Sequence, residues 1–265
     1  MDLLAVFAGY LGLGALAGVM AGLFGIGGGL VIVPALIFSF ELQGISEEVS
    51  AHLAVGTSLA TIVFTSLSSI RQHNKHQSVR WDLFRPMTVG IVGGAILGAW
   101  TVAFMSGDLL QMVIGIFAIS VGLKMLVMVN PKPGRDVPGS VGLGVAGSGI
   151  GWASAIFGIG GGTLTVPYLS WCNVRMQQAV GTSSACGLPI ALAGAAGNMW
   201  TGWSHPHLPD YSLGYVYLPA LFGVILTSVF FARVGANLAH RLDAKLLKRI
   251  FAIVLLVVGL RFILS

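Results

Sequence analysis

The chain has 265 residues, of which 55% are hydrophobic and 9% charged, with a formal net charge of +5. A soluble domain carries roughly 25% charged residues because it needs a polar shell facing water; this composition excludes such a shell and makes lipid the expected solvent. The basic residues sit in short connectors between apolar runs, the pattern of cytoplasmic loops rather than of a nucleic-acid partner.

The first residues, MDLLAVF, place Asp2 where a cleavable signal peptide carries positive charge, and the apolar stretch runs on too far for one. Residues 3–40 contain no Asp, Glu, Lys or Arg. As a single helix these 38 residues would reach about 57 Å, against a hydrocarbon core of about 30 Å. The run is expected to break at Gly25-Ile26-Gly27-Gly28-Gly29, giving one crossing and a shorter segment near 29–40 that contains Pro34. Spans follow near 51–71, 86–105 and 109–128. The four-residue spacing of Gly90, Gly94 and Gly98 reads as helix packing, within one chain or across a homodimer. A connector at 131–138 holds Lys132 and Arg135.

A second uncharged run, 137–174, breaks at Gly158-Ile159-Gly160-Gly161-Gly162 and leaves a short segment near 162–173 with Pro167. Within it Gly142-Leu143-Gly144-Val145-Ala146-Gly147 matches a dinucleotide fingerprint, but it lies in an apolar span with no strand before it and reads as packing. Spans near 178–203, 213–233 and 246–264 complete the chain. Cys172 and Cys186 sit in apolar sequence, as small buried residues do. His205 and His207 have no carboxylate or thiol cluster beside them in sequence, so no metal and no cofactor is expected.

If both short segments cross, there are ten crossings; if both dip in and return, there are eight. With ten and the N-terminus outside, 13 of the 14 basic residues face the cytoplasm, Arg261 being the exception. The eight-crossing arrangement cannot place both Arg71–Arg85 and Arg233–Arg249 inside, so the positive-inside rule favours ten, with both termini outside.

The halves repeat. FGIGGGLVIVP at 24–34 returns as FGIGGGTLTVP at 157–167, an offset of 158 − 25 = 133 residues. Ala54-Val55-Gly56-Thr57-Ser58 returns as Ala179-Val180-Gly181-Thr182-Ser183, and Val121-Gly122-Leu123-Lys124 as Val258-Gly259-Leu260-Arg261. Five crossings per half is odd, so the second half enters the membrane inverted. The expected fold is an all-α integral membrane protein of about ten transmembrane segments, as two inverted five-segment repeats (1–130 and 139–265) with glycine-broken helices and a cytoplasmic linker at 131–138. Inverted repeats place a transported substrate near the midplane, between the repeats.

The paired FGIGGG…VP blocks, each followed by AVGTS, resemble the TauE/SafE family of sulfite and organosulfonate exporters over essentially the whole chain. Val79-Arg80-Trp81 after His73 is similar too, although the family usually has an acidic residue where Arg80 stands. The resemblance implies a transporter of small sulfur-containing anions in the bacterial cytoplasmic (inner) membrane.

No charged residue lies deep within any span, so an anion would need other donors. Helix N-termini expose unpaired N–H groups and the positive end of the helix dipole. Glycine breaks can supply such termini within the membrane, which singles out Gly25, Gly27 and Gly28 with Gly158, Gly160 and Gly161. Thr57, Ser58, Thr182 and Ser183 add hydroxyls. At the AVGTS offset His73 pairs with Asn198, with Gln72 and Trp200 as neighbours, and His73 can also carry a proton.

The expected activity is export of sulfite or an organosulfonate by alternating access. There is no phosphate-binding GxxxxGK[ST] loop for ATP, so this is a secondary transporter rather than a pump. The same site would suit import or exchange of sulfate, thiosulfate or another small organic anion. An intramembrane serine hydrolase built on Ser58 or Ser183 would need a base within reach, and no histidine is expected at that depth.

Overall fold

The computed structural model describes residues 3–24, 28–127, 134–239 and 244–264. It is helical throughout, apart from one two-stranded hairpin. The helices are α1 (Leu3–Phe24), α2 (Gly29–Leu42), α3 (Glu47–Lys75), α4 (Trp81–Ala103), α5 (Gly107–Val127), α6 (Ser140–Ile156), α7 (Gly162–Trp171), α8 (Met176–Gly202), α9 (Leu218–Ala239) and α10 (Ala244–Leu264). Strands β1 (Ser212–Leu213) and β2 (Val216–Tyr217) pair antiparallel between α8 and α9. The expected span at 213–233 is therefore a hairpin followed by a helix: Gly214, at φ 54°, turns the uncharged but aromatic YSLGYVY back on itself.

Among the described residues α3, α4, α5 and α8 are long and apolar enough to cross a membrane. Large apolar side chains such as Val89, Val141, Leu226 and Phe230 stand exposed around the bundle. This is an integral membrane protein, and lipid is the solvent that suits such side chains.

The helix ends explain the chain reversals. After α2, Gly44 at φ 72° donates to the Glu41 carbonyl while Ile45 donates to that of Phe40, a Schellman cap. Asn173 ends α7 and Gln77 ends α3 in the same left-handed way.

The packing maps onto itself when the halves are exchanged. Helix α1 packs on α9 and α4 on α6, each pair joining one half to the other, while α3 packs on α8 and α5 on α10. Direction follows from the closest approaches. A Cβ on Gly90, Gly94 or Gly98 would lie 1.9, 2.0 or 2.5 Å from the carbonyl oxygens of Gly144, Ser148 and Trp152, so α4 and α6 run parallel. Gly14 and Gly18 meet Val224 and Ser228 likewise, so α1 and α9 are parallel. Gly115 meets Gly259 and Gly122 meets Ala252, so α5 and α10 are antiparallel. Gly56 lies against Asn198 and Gly187 against Ser66, while Ser69 Oγ donates to Ser184 Oγ (3.1 Å); α3 and α8 are antiparallel too. The glycine stripe of α4 thus serves contact within the chain.

Candidate functional site: two glycine breaks in contact

The second break begins where α6 stops. Gly158, at φ 62°, takes the left-handed position, and the Ile159 N–H reaches back to the Ser154 carbonyl (3.0 Å). The freed Gly158 carbonyl accepts a hydrogen bond from Ser58 Oγ at 2.7 Å, across 100 residues of sequence. Gly29 comes against the same point: a Cβ there would lie 2.6 Å from the Gly158 carbonyl oxygen and 2.9 Å from Ile159 Cα. The two breaks therefore touch, and only a residue without a side chain allows it. Gly161 packs as closely on the Ser183 carbonyl (2.5 Å), and Gly28 and Gly160 are buried. Gly25 and Gly27 lie outside the described residues. Helices α2 and α7 both begin here, at Gly29 and Gly162, so two helix N-termini lie buried in the bundle, and the N–H groups of a helix's first turn lack partners within the helix and suit an anion.

Each AVGTS segment receives a backbone segment of the other half. Gly56 admits the Tyr215 carbonyl, 2.1 Å from where a Cβ would stand, and Thr57 Oγ1 accepts the Tyr217 N–H at 2.9 Å. In the other half Gly181 admits the Ser78 carbonyl (2.5 Å), and Thr182 Oγ1 accepts the Arg80 N–H at 3.0 Å. The Tyr215 N–H donates to the Asn198 carbonyl and the Ser78 N–H to the His73 carbonyl, each at 3.1 Å. Each contact in one half has its counterpart in the other. Each Gly-Thr pair seats the segment leading into the fourth helix of the opposite half. Ser183 Oγ donates within its own helix, to the Val180 carbonyl (2.8 Å).

The TauE/SafE sulfite exporter family matches residues 10–262. A probable membrane transporter protein of Haemophilus influenzae is 35% identical over 95% of this chain and 96% of its own. The chain belongs to the TauE/SafE family. Further relatives are the probable membrane transporter protein YunE of Bacillus subtilis, 28% identical over 95% of both chains, and one of Methanocaldococcus jannaschii, 28% identical over 93% of this chain and 91% of its own. No solved structure matches. The protein is a membrane transporter.

In this TauE/SafE transporter the sequence-derived residues fall into separate groups. Because α3 and α8 are antiparallel, Thr57 and Thr182 stand about 20 Å apart along the pair, and His73 and Asn198 about 25 Å. Half-buried His73 lines an open depression of about 500 Å³ with His76, Ser78 and Gln177. Gln72 is exposed, and Trp200 is 79% exposed near the far end of α8. Asn198 is buried, with Nδ2 bonded to the Gly194 carbonyl. Arg80 binds the Asp82 carboxylate through Nε (2.8 Å) and Nη2 (2.5 Å), so acidic character stands two residues beyond its usual family position.

One histidine is buried near the start of α3, six residues from Ser58. His52 is buried on α3, with Nε2 3.1 and 3.2 Å from the Val102 and Met105 carbonyls. Ser58 is bonded to Gly158 instead and does not pair with His52. Gly56, Gly181 and Tyr217 were not singled out as site residues. The glycine-threonine repeat was the available signal, but its partners lie far away in sequence.

Proposed function

We propose that the protein is a secondary transporter that exports a small sulfur-containing anion, sulfite or an organosulfonate, across the bacterial cytoplasmic membrane by alternating access. The observation that carries this reading is the contact between the two glycine breaks. It brings two helix N-termini to one buried place with no buried Lys or Arg among the described residues, while Ser58 holds the Gly158 carbonyl; this suits transient binding, since an anion held by dipoles and N–H donors is attracted without being trapped by a full charge. Support for an inverted repeat comes from sequence-equivalent helices that run antiparallel, α3 with α8 and α5 with α10.

One negative charge moving outward down an inside-negative potential of 100 mV gains about 2.3 kcal/mol, enough to drive uniport. The test is efflux from proteoliposomes loaded with sulfite, sulfoacetate, sulfate or thiosulfate under an imposed potential. The expected result is potential-dependent efflux of sulfite or the sulfonate, slowed in Ser58→Ala. Flux of sulfate alone would replace the proposed cargo, and no anion flux would refute the reading.

A further inference from the structure

Helices α3 and α4 are joined by residues 76–80, whereas the pseudo-equivalent α8–α9 connection takes residues 203–217. Both end in the same Gly-Thr seat, yet their surroundings differ. Beside the short connection lies the open depression around His73. The long one is turned back by β1–β2, and its last four residues, 214–217, are buried: Val216 is fully inaccessible, and the Tyr217 ring stands edge-on to Tyr10 (6.2 Å) and Phe40 (5.7 Å).

A stripe along α3 receives it. Glu48 takes His207 Nδ1 at 2.8 Å and His205 Nε2 at 3.7 Å, His52 packs on the Tyr215 ring at 4.9 Å, and Gly56-Thr57 hold Tyr215 and Tyr217. Positions 48, 52 and 56 recur every four residues, one face of one helix.

We propose that the 203–217 segment is the outer gate of the transporter, latched to α3 by Thr57 and by the Glu48–His207 pair, and that it must lift for the anion to leave. The transported anion enters from the side of the depression, while the outer side is sealed by the segment. The ten additional residues of this connection make a movable cover from what is a fixed turn in the other half. Breaking one buried hydrogen bond shifts such an equilibrium by about fivefold.

The experiment uses the full chain with Cys172→Ala, Cys186→Ala and the reporter Val216→Cys. Adding Thr57→Val is expected to speed labelling by a membrane-impermeant maleimide from the outside about fivefold. Thr57→Ser, which keeps the acceptor, restores the slow rate. In a separate cysteine-free chain, Glu48→Cys/His207→Cys is bridged with a short bis-methanethiosulfonate; sulfite efflux should drop at least tenfold and return with reductant. Equal labelling of Thr57→Val and Thr57→Ser, or undiminished efflux through the bridged chain, overturns the gate. The flux arm rests on the export reading and the labelling arm does not, so absence of sulfite efflux before bridging counts against that reading alone.

Discussion

Gly93 and Gly94 are neighbours on α4 with opposite surroundings. A Cβ on Gly94 would lie 2.0 Å from the Ser148 carbonyl oxygen, whereas one on Gly93 meets nothing within 4 Å. Gly94→Ala must push α4 and α6 apart and is expected to cost about 1–3 kcal/mol. Gly93→Ala should be neutral or stabilising by up to about 1 kcal/mol, since alanine is the better helix former. Thermal unfolding of both variants in detergent checks the contrast; equal midpoints would mean that the α4–α6 contact is looser than this. At this scale the sequence spoke clearly for the glycines, because their spacing is local. It marked Thr57 as a hydroxyl for an anion but not as the seat of a backbone amide 160 residues away. A hydroxyl beside a glycine in an apolar run looks the same whether it awaits an anion or a backbone N–H.

At the scale of elements, the broken helices were legible because an uncharged run of 38 residues outlasts the bilayer and its glycines mark where it yields. The hairpin was not, because YSLGYVY carries no charge and runs straight into the apolar helix that follows it. Nor was the separation of the two AVGTS segments, which depends on how α3 and α8 are laid together. That register has a direct check. Ser69 Oγ and Ser184 Oγ are 3.1 Å apart, so in a chain with Cys172→Ala and Cys186→Ala the pair Ser69→Cys/Ser184→Cys should oxidise to an intramolecular disulfide. The readout is loss of labelling by a maleimide-linked polymer after mild oxidation, regained with reductant. The same chain with Ser69→Cys paired to Asn198→Cys, at the far end of α8, should stay fully labelled. Were the second pair to oxidise as readily, the antiparallel register would be wrong.

For the whole molecule the question is how many times the chain crosses, and helix directions bear on it. Between α3 and α8 lie α4, α5, α6 and α7. If α7 only dips in and returns, α3 and α8 point the same way across the membrane; if it crosses, they oppose, as their contacts do. The parallel pairing of α1 with α9 then requires α2 to cross as well. With 14 and 10 residues, α2 and α7 are about 21 and 15 Å long, shorter than the hydrocarbon core. A crossing by either helix therefore also needs the chain that flanks it. Ten crossings place the turn before α3 outside and residues 76–80 inside; eight crossings reverse both. Glu47→Cys and His76→Cys, both exposed positions, separate the alternatives in a chain with Cys172→Ala and Cys186→Ala. In intact cells an impermeant maleimide is expected to label Glu47→Cys at once and His76→Cys only after permeabilisation. The reverse pattern would leave eight crossings, and the inverted repeat would fall with the tenth.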